Sequence, residues 1–270
     1  MVQASAAGDR VSTFARLVLA PNAGPMTLDG TNSYVLRAPG SDGVVVVDPG
    51  PSDTAHLAAL AEAGHVELVL VTHHHPDHTE SLAVFHEMTD APVRAIDAAF
   101  CLAGAPLADG ERISAAGLEI DVVATPGHTA DSVCFSLPGD RLVGGDDTLG
   151  TVLTGDTILG RGTTIIADPD GALGPYLDSL EVLRTLGTPG PVGVLPGHGP
   201  VLPDLAAICR AYLAHRAERL DQVRAALREL GAGAGPAAVT DLVYADTDAS
   251  VRSAAEASVR AQLAYLRSEG

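Results

Sequence analysis

The segment 72–78, with the sequence THHHPDH, constrains this chain more than any other part of it. It directly follows the apolar run 68–71, which predicts a buried strand. Side chains at the end of a strand are held rigidly at a sheet edge, where open α/β layers bind their ligands. Imidazoles and a carboxylate at such close spacing suit Zn²⁺ and also tolerate Fe or Mn. The segment therefore predicts a metal site at the end of a strand.

Three further candidate ligands follow apolar runs and lie beside glycines. His128 stands in the turn TPGH, Asp156 in TGDT and His198 in PGHG. Each run predicts a strand, so one sheet edge can gather all three beside segment 72–78. A lone histidine in a turn is usually a surface or packing residue, but five histidines and two aspartates in this order are not a chance pattern. His74 is expected to point away from the metals. Ordinary helix or loop roles are expected for His56, His65 and His86.

In this order the residues resemble the metallo-β-lactamase superfamily in its two-metal, glyoxalase-II-like form, across about residues 15–200. The resemblance implies an α/β fold, an αββα metallo-β-lactamase sandwich, with the site on one edge. It implies two divalent metal ions, expected to be zinc. Asp48, which follows a β-branched run, matches the residue that supports the ligands from behind. The ligands that the resemblance implies are His73, His75 and His128 for one metal, Asp77, His78 and His198 for the other, and Asp156 as the bridge.

Such a site is a hydrolytic one. Two ions about 3.5–4 Å apart lower the pKa of a shared water to about 7, which supplies a metal-bridging hydroxide as the nucleophile. Asp77 is expected to orient this nucleophile and to take up a proton, and Asp156 to set the distance between the metals. Together they are the expected catalytic residues. The ligand set suits hydrolysis of a thioester, ester, amide or phosphodiester, and it does not choose among them.

Segments 20–34, 154–163 and 214–216 resemble the β-lactamase-like protein 2 family. The animal member of that family is a single-strand endoribonuclease, and its relatives include fungal enzymes that release polyketides by thioester hydrolysis. The resemblance implies a catalytic domain over 1–204 and a C-terminal helical, winged-helix-like domain over 205–270, here expected to lack the wing. The implied substrate-lining residues are Thr31, Asn32, His215 and Arg216.

Apolar periodicity predicts the secondary structure. Apolar residues recur at helical spacing over 205–230, and Gly231 opens a breaker-rich linker over 231–236. Further helices are expected at 54–64, 81–88, 237–243 and 249–267. Strands are expected at 16–20, 33–38, 44–48, 67–72, 93–96, 118–124, 132–137, 141–144 and 192–195.

The charge distribution bears on the substrate. The chain has 16 basic residues, all arginine, against 34 acidic ones, and the resulting net charge of −18 falls entirely within residues 1–204. An acidic body repels polyanions, so double-stranded DNA is not an expected partner. Single-stranded RNA nevertheless remains a candidate substrate, because the predicted helix 205–230 carries five arginines: Arg210, Arg216, Arg219, Arg224 and Arg228.

Three functions therefore stay open: an endoribonuclease on single-stranded RNA, a thioesterase or other small-molecule hydrolase, and a non-enzymatic regulator. The complete ligand set disfavours the regulator. No membrane span or export signal is apparent, so we expect a cytoplasmic protein, while its oligomeric state stays open. Without a C-x-x-C motif, the cysteines are expected to be buried and unpaired: Cys101, Cys134 and Cys209.

Overall fold

Two β-sheets pack face to face and carry helices on their outer faces. The computed structural model of the chain describes residues 8–145, 147–166, 169–245 and 252–268. A core of aliphatic side chains fills the space between the sheets, with Leu36, Leu70, Ile120, Phe135 and Leu195 among its buried members. The predicted αββα sandwich is therefore confirmed.

The first sheet has six strands in sequence order, antiparallel over its first four strands and parallel between β4, β5 and β6. Its central strand β4 is five residues of glycine and valine, all buried, as expected for a strand covered on both faces. The strands are β1 (Asp9–Arg10), β2 (Ala15–Leu19), β3 (Asn32–Leu36), β4 (Gly43–Val47), β5 (His65–Leu70) and β6 (Val93–Arg94).

The second sheet has five strands in the order β11-β10-β9-β8-β7. The pair β10–β11 is parallel, and the other pairs are antiparallel. Its strands are β7 (Arg112–Ala115), β8 (Leu118–Ala124), β9 (Val133–Pro138), β10 (Gly150–Gly155) and β11 (Gly193–Pro196).

Helices cover both outer faces. A cluster that includes Leu57, Leu60 and Phe85 joins the first sheet to its helices, and a second cluster that includes Tyr176, Leu180 and Tyr212 joins the second sheet to its own. The helices are α1 (Thr54–Ala61), α2 (Pro76–Thr79), α3 (Leu82–Thr89), α4 (Leu173–Leu186), α5 (Leu205–Leu230), α6 (Pro236–Val243) and α7 (Arg252–Ser268).

The long helix α5 belongs to both parts of the chain. Its first half contributes Leu205, Cys209 and Tyr212 to the core under the second sheet. Its second half forms a small cluster of its own with α6 and α7 through Val223, Val239 and other side chains. The division into domains 1–204 and 205–270 stays a prediction. The expected helix start at 249 falls in 246–251, outside the described residues.

Three local predictions were wrong. Residues 141–144 form a turn with one isolated bridge at Leu142, because Gly144 adopts a positive φ of 76° and ends the extended run. The strand that pairs with β9 is instead β10, which follows this turn. Cys101 is half-buried, since it follows a short 3₁₀ turn at the surface, whereas Cys134 and Cys209 are buried as expected. Helix α4 was not predicted.

None of the helices in the described ranges combines the length and the apolar composition that crossing a membrane requires.

Candidate metal centre

Five loops meet at one edge of the sandwich and bring the predicted ligands together. Each loop follows the end of a strand, so every site residue lies shortly after a strand. The five strands are β4, β5, β8, β10 and β11. Because these strands are buried and hydrogen-bonded, their ends hold the loops in fixed positions. The loops carry, in chain order, Asp48, segment 72–78, His128, Asp156 and His198.

Three imidazoles form the first group. The Nδ1 atom of His75 lies 3.0 Å from Nε2 of His73 and 3.1 Å from Nε2 of His128. Burial lowers the pKa of His73 well below its usual value and the pKa of His75 to about 4, and it also lowers the pKa of His128. All three rings are therefore neutral at pH 7, which is the form that ligates metals.

A carboxylate and two imidazoles form the second group. Nε2 of His198 lies 3.1 Å from Oδ2 of Asp77 and 3.4 Å from Nε2 of His78. Burial alone would lower the pKa of His198, but hydrogen bonds with Asp156 and Asp77 raise it to about 10. This corner therefore stabilises a positive charge, whether a proton on the ring or a cation in its place.

Asp156 lies between the two groups. Its Oδ2 is 3.3 Å from Nε2 of His198 and 3.8 Å from Nε2 of His128, and its Oδ1 is 3.6 Å from Nε2 of His78. Burial would raise the pKa of Asp156, but the hydrogen bond with His198 and the nearby histidines hold it well below its usual value. A carboxylate ionised at neutral pH thus contacts both groups, as a bridging ligand must.

The far side of three rings is fixed by hydrogen-bond acceptors. Nδ1 of His128 donates to the carbonyl of Ile165 (2.8 Å), and Nδ1 of His198 donates to that of Gly30 (3.1 Å). His78 donates to the carboxylate of Asp48 in the same way, at 2.8 Å. Because these partners occupy Nδ1, the atom that each ring turns toward the site is Nε2, which offers a lone pair once a metal ion takes the place of any proton there.

Asp48 accepts hydrogen bonds from two of the residues in segment 72–78. Its Oδ1 accepts from the backbone of Thr72 (2.8 Å), and its Oδ2 accepts from the Thr72 hydroxyl (2.6 Å) as well as from His78. Thr72 has thereby used its proton, so His73 donates from Nδ1 to the Thr72 oxygen at 3.1 Å. Asp48 is 2 % exposed and has a positive φ of 52°, a conformation that aspartate tolerates better than most residues. Its hydrogen bonds thus reach both Thr72 and His78, and its effect on metal binding stays a prediction.

The donor set fits divalent metal ions. Five histidine rings and two carboxylates converge there, and Oδ1 of Asp156 is buried with no hydrogen-bond partner among the described residues. Ligands at about 2.0–2.1 Å from a tetrahedral Zn²⁺ lie about 3.3–3.4 Å apart, close to the spacings observed. Two ligand-like groups are complete within the described residues, His73–His75–His128 and Asp77–His78–His198, with Asp156 beside His73 and His78.

Glycine is required behind the site at one position. A Cβ on Gly197 would lie 2.5 Å from Oδ1 of Asp156 and 2.9 Å from Cε1 of His78. The turn PGHG can therefore bring His198 against the bridging carboxylate only because residue 197 has no side chain.

The predicted substrate-lining residues lie mostly behind the ligands. Thr31 is fully buried and pairs with His198 in a β-bridge, and Asn32 donates to the carbonyls of Pro196 and Gly199 at 2.8 Å each. Both residues support the His198 loop. Arg216 is also buried, at 4 % exposure. Only His215 is half-exposed. Substrate contact by these four residues stays a prediction.

His74 points away from the two groups, as expected. Its Nδ1 lies 2.8 Å from Oδ1 of Asp131, and its ring stacks on Phe100. His56 was expected to have an ordinary helical role, but it is 5 % exposed and its Nε2 donates to the Ser33 hydroxyl at 2.9 Å. Ser33 in turn donates to the Asp48 carbonyl at 2.6 Å. No sequence motif marks this chain of contacts.

Comparison with known proteins agrees with the geometry. A family model described as "Metallo-beta-lactamase superfamily" matches residues 26–198, which include every predicted ligand. The chain is 30 % identical over 97 % of its length to a Caenorhabditis elegans protein named "Beta-lactamase-like protein 2 homolog", of which it covers 87 %.

Solved structures show the same fold. A metallo-beta-lactamase family protein of Thermus thermophilus superposes with a TM-score of 0.74 over 95 % of this chain and 94 % of its own, at 23 % identity. TTHA1623, solved in a di-iron-bound form, superposes with a TM-score of 0.54 over 72 % of this chain and 98 % of its own, at 27 % identity. The first alignment therefore spans nearly the whole chain, and the second spans about seven tenths of it.

Proposed function

This chain belongs to the metallo-β-lactamase superfamily, whose members are metal-dependent hydrolases, and we propose that it hydrolyses an acyl ester or thioester at a pair of divalent metal ions. The carrying observation is the convergence of the histidine rings around Asp156, whose buried Oδ1 has no hydrogen-bond partner among the described residues. Metals bound there would activate water as a nucleophile near neutral pH and polarise the carbonyl under attack.

The protein's own residues provide substrate access, set the spacing of the two ligand groups and orient the histidine rings. Asp77 is the most exposed of the ligand candidates in its group, with 26 % of its side chain accessible, so it is the one of the three that a substrate can reach most readily. Asp156 sets the spacing of the two groups from the interior. The carbonyls of Gly30 and Ile165 keep the rings of His198 and His128 oriented. Zinc is the proposed metal, and the di-iron form of TTHA1623 makes iron the first alternative.

Charge around the site favours a substrate with few negative charges. Arg161, on the loop whose Gly160 donates to the His198 carbonyl, is bound at both terminal nitrogens by Asp29. Arg216 is buried, while Asp77 presents a half-buried carboxylate and Asp170 an exposed one. A single-stranded RNA carries one phosphate per nucleotide and is bound by arginine, lysine and stacked aromatic residues. The described residues around the site include few such side chains that are free to bind phosphate.

Single-stranded RNA is the second candidate substrate. The similarity to a β-lactamase-like protein 2 homologue over nearly the whole chain favours it, together with the arginines of α5. If RNA is the substrate, the contacts with its phosphates must come from this helix, away from the acidic residues Asp77 and Asp170.

A parallel assay distinguishes the two. We expect the purified protein to hydrolyse S-lactoylglutathione or another thioester with few negative charges, to lose that activity with a chelator and to regain it with Zn²⁺. An oligoribonucleotide should be cleaved far more slowly, with a rate that falls steeply as salt rises. Efficient RNA cleavage without turnover of any thioester would reverse the order of the two candidates.

A further inference from the structure

Arg216 is a buried cation with no counter-ion among the residues that the structure describes. It is 4 % exposed, and no described carboxylate lies in ion-pair range of its guanidinium. The Nη2 atom donates to the carbonyl of Thr164, the guanidinium lies 5.2 Å from the ring centre of Tyr176, and Nε has no hydrogen-bond partner. A buried charge with so few partners destabilises a fold, so packing alone does not account for an arginine here.

Both contacts of Arg216 lead to the same metal ligand. Thr164, whose carbonyl accepts from Arg216, places its hydroxyl 3.2 Å from Nδ1 of His128, and the next residue, Ile165, accepts the hydrogen bond from that Nδ1 at 2.8 Å. The loop held by Arg216 is therefore the loop that orients the His128 ring.

The second contact reaches the backbone of the same ligand. A Cβ on Gly127 would collide with the Cα of Tyr176, so the turn before His128 presses directly on helix α4 at this tyrosine. The amide of Ala172 also donates to the Gly127 carbonyl at 2.9 Å. The ring and the backbone of His128 are thus supported from two sides, and Arg216 contacts both supports.

We propose that Arg216 is a positioning residue for the three-histidine metal site, and that through it helix α5 forms part of that site. By joining the 164–165 loop to Tyr176, Arg216 fixes the orientation of His128 relative to His73 and His75. The Asp77–His78–His198 group receives no support from this network; its partners are Asp48 and Gly30. Loss of Arg216 therefore weakens one metal site selectively.

The test is a metal titration of the Arg216→Met variant, which keeps the side-chain length and removes the donors. The probe is Zn²⁺ added to metal-free protein in competition with a chromophoric chelator, so that two binding constants are obtained. We expect the affinity for one of the two ions to fall by about 10-fold or more, as loss of a partner behind a ligand typically does. The other constant should stay within about twofold. Arg216→Lys, which keeps the charge and a donor, should restore part of the loss.

Arg219→Met is the matched control. Arg219 lies about one turn further along α5, and its guanidinium is 4.8 Å from the ring centre of Tyr244, so the variant removes an arginine–aromatic contact beside the cluster that α5 forms with α6 and α7. It should leave both zinc constants unchanged. If Arg216→Met does not fold, the pair Arg216→Lys and Arg219→Lys is compared in the same way, with a selective loss expected only in the first.

The inference rests on the proposed metal centre, and the titration separates the two. Wild-type protein that binds no zinc would contradict the proposed function itself. Wild-type protein that binds two ions, with Arg216 variants that keep both constants or lose both equally alongside a lower melting temperature, would overturn the positioning role and leave the proposed function standing.

Discussion

Replacing Asp156 by alanine should lower turnover by more than about 100-fold, because even a residue that only supports a ligand contributes about 10–100-fold to metal affinity or activity. Within the described part of the chain, Asp156 is the one carboxylate that lies within 4 Å of His128 in the first group as well as His78 and His198 in the second. Without it neither the spacing of the metals nor the neutralisation of their charge is maintained. The measurement is kcat/KM on whichever substrate the parallel assay identifies, with circular dichroism to confirm the fold.

Asp121→Ala provides the control for this variant. Asp121 pairs with Arg112 at a partly exposed position of β8, away from the site, and its removal should leave kcat/KM unchanged. Near-wild-type turnover by a folded Asp156→Ala protein would mean that Asp156 does not bridge the metals.

Gly127→Ala should destabilise the whole protein and disturb His128 at the same time. Gly127 has a φ of 141°, and an added Cβ would collide with the Cα of Tyr176 and lie 2.5 Å from its nitrogen. Overpacking against backbone costs about 1–3 kcal/mol, and an unfavourable φ costs about 1–3 kcal/mol more. We expect a loss of about 3 kcal/mol or more, which lowers the melting temperature by about 6–12 °C.

Gly139→Ala separates the clash from the backbone conformation. Gly139 also has a positive φ, 79°, but nothing lies within 4 Å of its added Cβ. Its variant should lose only about 1–2 kcal/mol. Equal losses in the two alanine variants would show that the turn before His128 is not pressed against α4 as described.

Many of the strands and helices could be predicted from the spacing of apolar side chains along the sequence. The buried valine run of β4, the ends of β8 and the full length of α5 agree with their sequence-based predictions. Helix α4 was missed because it begins with Leu173, Gly174 and Pro175, and a Gly-Pro pair normally marks a break. Proline is tolerated in the first turn of a helix, however, since its missing N–H has no partner there in any case. Strand β7 is four residues long and mostly exposed, which leaves little periodicity to detect.

The ligand candidates and Asp48 could be found from sequence, whereas most of the other groups that orient the rings could not. Histidine and aspartate at strand ends are visible by residue type, and the structure brings all seven together. The groups that orient them are largely backbone carbonyls, such as those of Gly30 and Ile165, and a carbonyl has no sequence signature. The same reason explains why the burial of Arg216 was not foreseen. Its partners, the Thr164 carbonyl and the Tyr176 ring, are contributed by segments 52 and 40 residues away in sequence.

The metal content of the purified protein tests the central claim most directly. Protein isolated without chelator and supplied with zinc should contain close to two ions per chain by elemental analysis, and Asp156→Ala should contain markedly fewer under the same conditions. The account predicts this stoichiometry because two complete ligand groups share one carboxylate. A reproducible value near zero for the wild-type protein, after metal supplementation and with the fold intact, would contradict it.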